Sequence, residues 1–377
     1  MFKPFETGSI HVNRRTMGKT LAGLAAGAAV MALGVGAFGA ANAQEKMKVG
    51  FVYVGPISDH GYSYQHDQGR LAVEKELGDK VTTTYVENVP EGADAERVIE
   101  QLAASGHKLI FTTSFGFMNP TLKVAQRHPD VKFEHATGYK RSANLATYSA
   151  RFYEGRTVIG QIAGKMTKSN IIGYIGSFPI PEVISGINAF TLAMREVNPK
   201  AEVRVVWVNS WYDPGKEAEA AKALIDQGAD VISLHTDSPA AIQVAQERGL
   251  YVFGQSSDMT RFGPKAHLTA IVDDWRSYYV TRVKAALDGT WKSQDTWGGF
   301  KDEMLFLAPY NPDLPPEVVA AAEKTRKDIM EGKRHSFQGP VKDQSGKVVI
   351  AEGRHATDEQ ILKMDWYVEG VQGKVPK

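Results

Sequence analysis

The stretch KVGFVYVGPISDHGYSYQHDQGR, residues 48–70, decides the fold. Its first seven residues are an apolar run bounded by Gly55 and Pro56, short enough to read as a buried strand. A polar loop follows, and residues 64–77 carry a helical pattern. The same unit returns as IIGYIGSFPIPEVISGINAF at 171–190. VRVVWVN (203–209) then answers TTTYVEN (82–88), ALIDQGADVISLHT (223–236) answers QLAASGHKLIFTTS (101–114), and Val-Ala-Gln at 244–246 answers Val-Ala-Gln at 124–126. The offset stays near 120 residues throughout, so the chain reads as two lobes of one architecture.

Within the first copy, VTTTYVE (81–87), KLIFTT (108–113) and VKFEHA (131–136) read as further strands, separated by helical patterns at 93–105 and 118–128. Strands alternating with helices imply a parallel sheet covered on both faces. The expected fold is therefore α/β: two doubly wound parallel-sheet lobes joined by a multi-stranded hinge. The boundaries expected are 46–168 for the first lobe and 169–270 for the second. Residues 271–298 are read as a hinge crossing with a helix of the first lobe (pattern at 274–288), and 299–377 as a C-terminal segment returning mainly to the second. That segment holds a helix at 314–333, with Pro at its start and Gly332 near its end, and a hairpin at 341–350.

The 43 residues ahead of the repeat read as an export signal. Arg14 and Arg15 precede an uncharged run from Leu21 to Ala40, and Ala-Asn-Ala at 41–43 fits a cleavage site after Ala43. NRRTMGKTL resembles a twin-arginine signal, with a Sec-type signal or a membrane anchor as the alternatives. Without this segment the chain carries 40 basic against 42 acidic residues, which gives no electrostatic case for nucleic-acid binding. No cysteine is present, which excludes disulfides, thiolate metal sites, a cysteine nucleophile and a lipoprotein anchor. A free, periplasmic and monomeric protein is expected.

In open α/β sheets, ligands bind beyond the carboxyl ends of the strands. The loops at those ends carry Asp59, Tyr62, Phe115, Phe117, Phe178, Trp211, Asp213, His235, Asp237, Gln255 and Asp258. Aromatic faces sandwich a flat ring, and carboxylates accept its N–H groups. Asp59 is read as an acceptor for the ligand, with a loop carboxylate or helix cap as the alternative, and Tyr62 as a stacking ring. Trp211 is read as stacking, because Trp207 already serves the core. Of Phe115 and Phe117, one meets ligand and the other packs. Trp275, with Asp274, begins a helix at the hinge and closes the pocket floor. Asp213, followed by Pro214, reads as a helix cap. Asp67 reads as a favourable charge near a helix N-terminus, and His66 as a partly exposed helix residue.

Catalytic and metal chemistry find no support in these motifs. There is no G-x-S-x-G elbow and no H-E-x-x-H, and His60, His66 and Asp67 match no zinc or calcium spacing. GVGAFG (34–39) matches the dinucleotide fingerprint but follows no strand and opens no helix. No enzyme, cofactor or metal is expected.

Several stretches together carry a resemblance. Gly55, Asp59 and Tyr62 form G-x-x-x-D with a following aromatic, and NLATYSARFYEG (144–155), GYIGSFPIPEVISGINAF (173–190), WYDPGKEAEAAKALIDQGADVI (211–232) and MDWYVEGV (364–371) follow. The chain resembles, over about residues 46–377, the basic membrane protein (Bmp) family of substrate-binding proteins of ABC transporters. The resemblance implies a type I periplasmic-binding fold, a purine base or nucleoside as ligand and an ABC permease as partner. It places base stacking on Tyr62 and Trp211, and polar contacts on Asp59 and Asp258. Nucleoside-binding members carry Asn after the first aromatic and Lys near the last hinge, where they hold the ribose. Here Ser63 follows Tyr62 and the hinge reads IVDDWRS (271–277). A free nucleobase such as adenine is therefore expected over a nucleoside. The alternatives are a sugar, riboflavin or amide ligand, a sensor for a membrane receptor, and a secreted enzyme acting on nucleosides.

Overall fold

The computed structural model describes residues 45–376, so the export signal read at 1–43 lies outside the described residues. The first sheet holds β1 (Met47–Tyr53), β2 (Val81–Val86), β3 (Leu109–Thr113), β4 (Lys132–Ala136) and β5 (Leu145–Ala150) in the order β2-β1-β3-β4-β5, all parallel. Helices α1 (Gly61–Leu77), α2 (Ala93–Ala104) and α3 (Met118–Arg127) follow the first three strands. After α4 (Phe152–Met166) the plan repeats: β6 (Ile171–Gly176), α5 (Pro181–Val197), β7 (Glu202–Trp207), α6 (Pro214–Asp226), β8 (Val231–His235), α7 (Ala240–Arg248), β9 (Tyr251–Ser256) and β10 (His267–Asp273). The second sheet runs β7-β6-β8-β9-β10, the same order as the first. The internal repeat of the sequence is thus a repeat of topology.

The central strands form where continuous apolar runs are buried on both faces. In β1, Val49, Phe51, Val52 and Tyr53 have no exposed surface, and in β8 every residue is buried. The periodicity reading missed β5 and β10, whose residues mix Thr, Ser, His and Asp with apolar ones. Both are sheet-interior strands in which the polar side chains are paired or face the cleft.

The tail threads both sheets. After β10 the chain enters α8 (Arg276–Leu287), which packs on α1, and β11 (Asp295–Gly298), which joins the first sheet beside β5. It then returns as β12 (Leu305–Leu307), antiparallel to β10, and α9 (Pro316–Met330), which lies on α4. A short hairpin, β13 (Val341–Lys342) and β14 (Val348–Ile350), precedes α10 (Asp358–Leu362) and β15 (Val371–Gln372), which pairs with β7. The chain passes between the sheets after β5, after β10 and between β11 and β12. Because α4 packs on α5, β10 and β12, we place the first crossing ahead of α4, at residues 150–152, rather than at residue 168. Among the described residues no helix is long and apolar enough to cross a membrane.

Candidate ligand-binding site

The carboxyl ends of β1, β3, β8 and β9 converge on a chamber between the two sheets. Side chains from both copies of the repeat line it. Tyr62, Phe115, Phe152 and Trp211 supply its aromatic wall, and Glu182, His235, Asp237 and Gln255 its principal polar groups. Ser114, Thr137 and Ser256 add hydroxyls.

The two halves touch around this chamber. The Tyr62 backbone N–H donates to Asp237 Oδ1 at 3.2 Å, and the Gly61 N–H to Ser257 Oγ at 2.7 Å. Gly61 has φ +86°, and a Cβ there would stand 3.1 Å from the Asp237 carbonyl oxygen, so the close approach needs glycine. Trp211 Nε1 donates to Glu91 Oε1 at 3.1 Å. Glu91 lies after β2 and Trp211 after β7, the equivalent positions of the two copies. The same Glu91 oxygen accepts from Ser114 Oγ at 2.5 Å and Gly116 N at 3.0 Å, so the carboxylate is held before it meets the indole. The geometry is that of a closed cleft.

Electrostatics inside the chamber are set by burial. Desolvation pushes Glu182 up to about 8, against the pull of Arg156, and raises Asp237 well above the carboxylate range, with Glu217 adding repulsion. His235 Nε2 lies 3.5 Å from Glu182 Oε1, and burial holds this imidazole neutral. Beneath the chamber Asp273 accepts from Trp275 Nε1 at 2.8 Å and is also pushed to about 8 by burial. While protonated, the Glu182 and Asp237 carboxyls can donate to a ligand as well as accept from it. Tyr62 Oη and His235 Nδ1 are buried with no hydrogen-bond partner, which marks a wall built to meet something polar.

Raised carboxyls carry a stability consequence with a definite sign. A group whose folded pKa exceeds its unfolded value stabilises below the unfolded pKa, and that contribution is lost as pH rises through the folded one. For Glu182 the window runs from about 4.5 to about 8. His135 and His267, depressed by burial to about 3 and about 4, push the opposite way below about pH 6.5. The test is therefore a difference. Glu182→Gln should match the ligand-free wild type in thermal stability near pH 4.5 and exceed it increasingly up to about pH 8. The gap should then stay constant, at a few kcal/mol at most. A gap that does not change with pH would show that Glu182 ionises normally.

Of the residues read from the sequence, Tyr62, Phe115, Trp211, Asp237 and Gln255 line the chamber. Phe117 is fully buried in the lobe core. Four others are placed elsewhere, each because a protein partner takes the side chain. Asp59 points outward, 62% exposed, ion-paired with Arg261 across the cleft and 2.9 Å from His60 Nδ1, which hold its carboxyl down at about 2. Asp258 is exposed and accepts from Thr260 N and Oγ1 at 2.9 and 2.6 Å. Phe178 packs on the Trp211 ring, centroids 5.1 Å apart, and so backs the wall. Trp275 is completely buried beneath Tyr62 and His66. His66 itself is no partly exposed helix residue: it has no exposed surface, stacks on Trp275 at 4.7 Å and 5°, and bonds Tyr279 Oη. Asp213 caps α6 by accepting from Lys216 N at 3.1 Å. Asp67 is buried in an ion pair with Arg70 at 2.5 Å. Sequence reasoning missed Glu182 and Phe152 as wall residues. The signal for Glu182 was its place one residue into a helix that follows a first-position strand, equivalent to Tyr62.

Two parallel sheets of one topology, three crossings and a chamber at the strand ends define a bilobal solute-binding protein of the type I periplasmic-binding fold. The chain belongs to the Bmp family, described as ABC transporter substrate-binding protein, PnrA-like, whose family model matches residues 46–345. It is 57% identical to a purine-binding protein of Brucella abortus (strain 2308) over 339 residues, covering 90% of this chain and 97% of that one. It is 38% identical to a Haloferax volcanii protein named, provisionally, as an ABC transporter glucose-binding protein, covering 88% of this chain and 82% of the relative. Among solved structures, an ABC transporter solute-binding protein from Aeropyrum pernix K1 superposes with a TM-score of 0.65 at 19% identity, over 79% of this chain and 93% of that chain. The family is one of transport, not catalysis, and its members are generally extracytoplasmic.

Proposed function

We propose that the protein captures a purine-type ligand, a free nucleobase such as adenine in preference to a nucleoside, and delivers it to the permease of an ABC importer. In this reading it acts as a periplasmic monomer, released after Ala43, and the permease recognises the closed form. The observation that carries the reading is the chamber itself: the rings of Tyr62, Phe115 and Trp211 beside the carboxyls of Glu182 and Asp237. Closing the cleft takes water from the rings and strengthens the polar contacts that discriminate between ligands.

The preference for a base is supported at the two positions that the family resemblance ties to ribose. Ser63 Oγ accepts from Gly55 N at 3.2 Å and is occupied in shaping the loop. At the hinge, Asp273 is bonded to Trp275, and Asp274 to Arg276. Calorimetric titration of the protein lacking residues 1–43 with adenine, hypoxanthine, adenosine and guanosine should give the bases at least about tenfold tighter binding. Tighter nucleosides would overturn the preference. A sugar ligand is the second reading, favoured by the name of the Haloferax relative, and glucose in the same series decides it.

A further inference from the structure

We infer that Arg156, a residue buried behind the chamber wall, is a positioning residue that fixes the Gln255 amide as a hydrogen-bond donor to the ligand. It follows that the ligand presents an acceptor toward β9. The inference rests on the purine reading and deepens it.

Arg156 projects from α4 and has no exposed surface. One terminal nitrogen donates to the Leu234 carbonyl at 2.9 Å and to Ser233 Oγ at 3.3 Å. The other donates to Gln255 Oε1. A guanidinium has donors and no acceptors, so only the amide oxygen of Gln255 can face it, and the orientation of the amide is fixed by chemistry. The Nε2 group is then what Gln255 has left. One of its N–H bonds goes to Ser256 Oγ at 3.2 Å, and the second remains for the chamber that Gln255 lines.

The rest of the wall is not restricted in this way. Glu182 and Asp237, raised by burial, can donate while protonated and accept in either state, whereas Gln255 is the polar wall side chain that Arg156 restricts to donation. An unconstrained glutamine could turn its amide to suit either kind of partner. A buried arginine behind it removes that freedom, so a molecule offering only N–H groups to this edge leaves the amide N–H unmet. Such a loss costs a site much of its affinity. A flat heterocycle with an unprotonated ring nitrogen has the required acceptor in the plane of its ring.

The test uses adenine and its 1-deaza, 3-deaza and 7-deaza analogues, in each of which one ring nitrogen is replaced by C–H. Binding is measured by calorimetry to the wild type and to Arg156→Met, Arg156→Lys and Gln255→Glu. The wild type should bind one analogue at least about tenfold more weakly than adenine. Gln255→Glu keeps a partner for Arg156 but has no N–H, so it should lose that discrimination to within about threefold. Arg156→Met lets the amide turn and should lose it too, while Arg156→Lys, still a donor, should retain it. Arg156→Met takes a donor from the Leu234 carbonyl and from Ser233 Oγ and so costs stability, and if it does not fold, Gln255→Glu decides alone. Folded Gln255→Glu or Arg156→Met protein that keeps the wild-type preference would overturn the inference, as would a wild type that binds adenine and all three analogues equally. A wild type that binds none of the purines would instead overturn the reading of the ligand, and this inference with it.

Discussion

Trp211→Ala should lower the affinity for adenine by about a hundredfold or more while the protein stays folded. Two losses add at this position. An aromatic ring stacked on a base is worth about 1–3 kcal/mol. The indole N–H also closes the cleft on Glu91, a hydrogen bond to a carboxylate, worth about 1.5–3 kcal/mol when formed. The fold should not suffer in proportion. Trp211 is half-buried in a loop at the edge of the core, and its ring leans on Phe178. Calorimetry with adenine and a thermal melt on the same sample check both halves. Unchanged affinity would remove Trp211 from the site, and loss of the cooperative melt would mean that the ring is structural. Glu91→Gln isolates the latch: it should cost less than Trp211→Ala because the ring remains.

Glu134→Ala should lower the stability of the protein by about 3–5 kcal/mol, the largest effect expected for a residue outside the chamber. Glu134 lies in β4 with no exposed surface. Its carboxylate accepts from Trp291 Nε1 and Tyr278 Oη, each at 2.7 Å, and pairs with Arg282, itself buried in α8. Burial raises the acid, and the partners pull it back, Arg282 foremost. Removing the carboxylate strands a buried guanidinium and two buried donors at once. These three donors all belong to the segment that returns to the first sheet after β10, so the lost bond also loosens the second crossing. Urea unfolding should show a lower midpoint. A change under 1 kcal/mol would mean that water repairs the site. Glu134→Gln, which keeps an acceptor but not the charge, should fall between the two.

The two effects differ in how visible they were in the sequence. Trp211 stands in a loop at the end of a strand whose partner copy could be found by its offset, and aromatic residues in such loops have few structural uses. Glu134 sits in VKFEHA, where it breaks no pattern and announces no partner. Its donors lie 144 to 157 residues further along the chain. Tyr62, Phe115, Asp237 and Gln255 were legible for the same reason as Trp211. Asp59 was misplaced because its position relative to the strand end was right, but Arg261, 202 residues away, claims its carboxylate when the cleft is closed. Trp275 and His66 were misjudged because stacking between them depends on how α8 lies against α1, which local pattern does not encode.

The two copies, the parallel alternation of strand and helix, and the strand ends where a ligand would be held can all be read from the linear pattern of residues. Periodicity and repetition are properties of a chain read in one dimension, and both sheets follow them into the same strand order. Which side chains face the chamber, and which are spent on other protein groups, depends on the folded packing. That choice is a competition between partners far apart in the chain, settled by burial: Arg156 takes the Gln255 oxygen, Arg261 takes Asp59, and Glu182 and Asp237 keep acceptors turned inward.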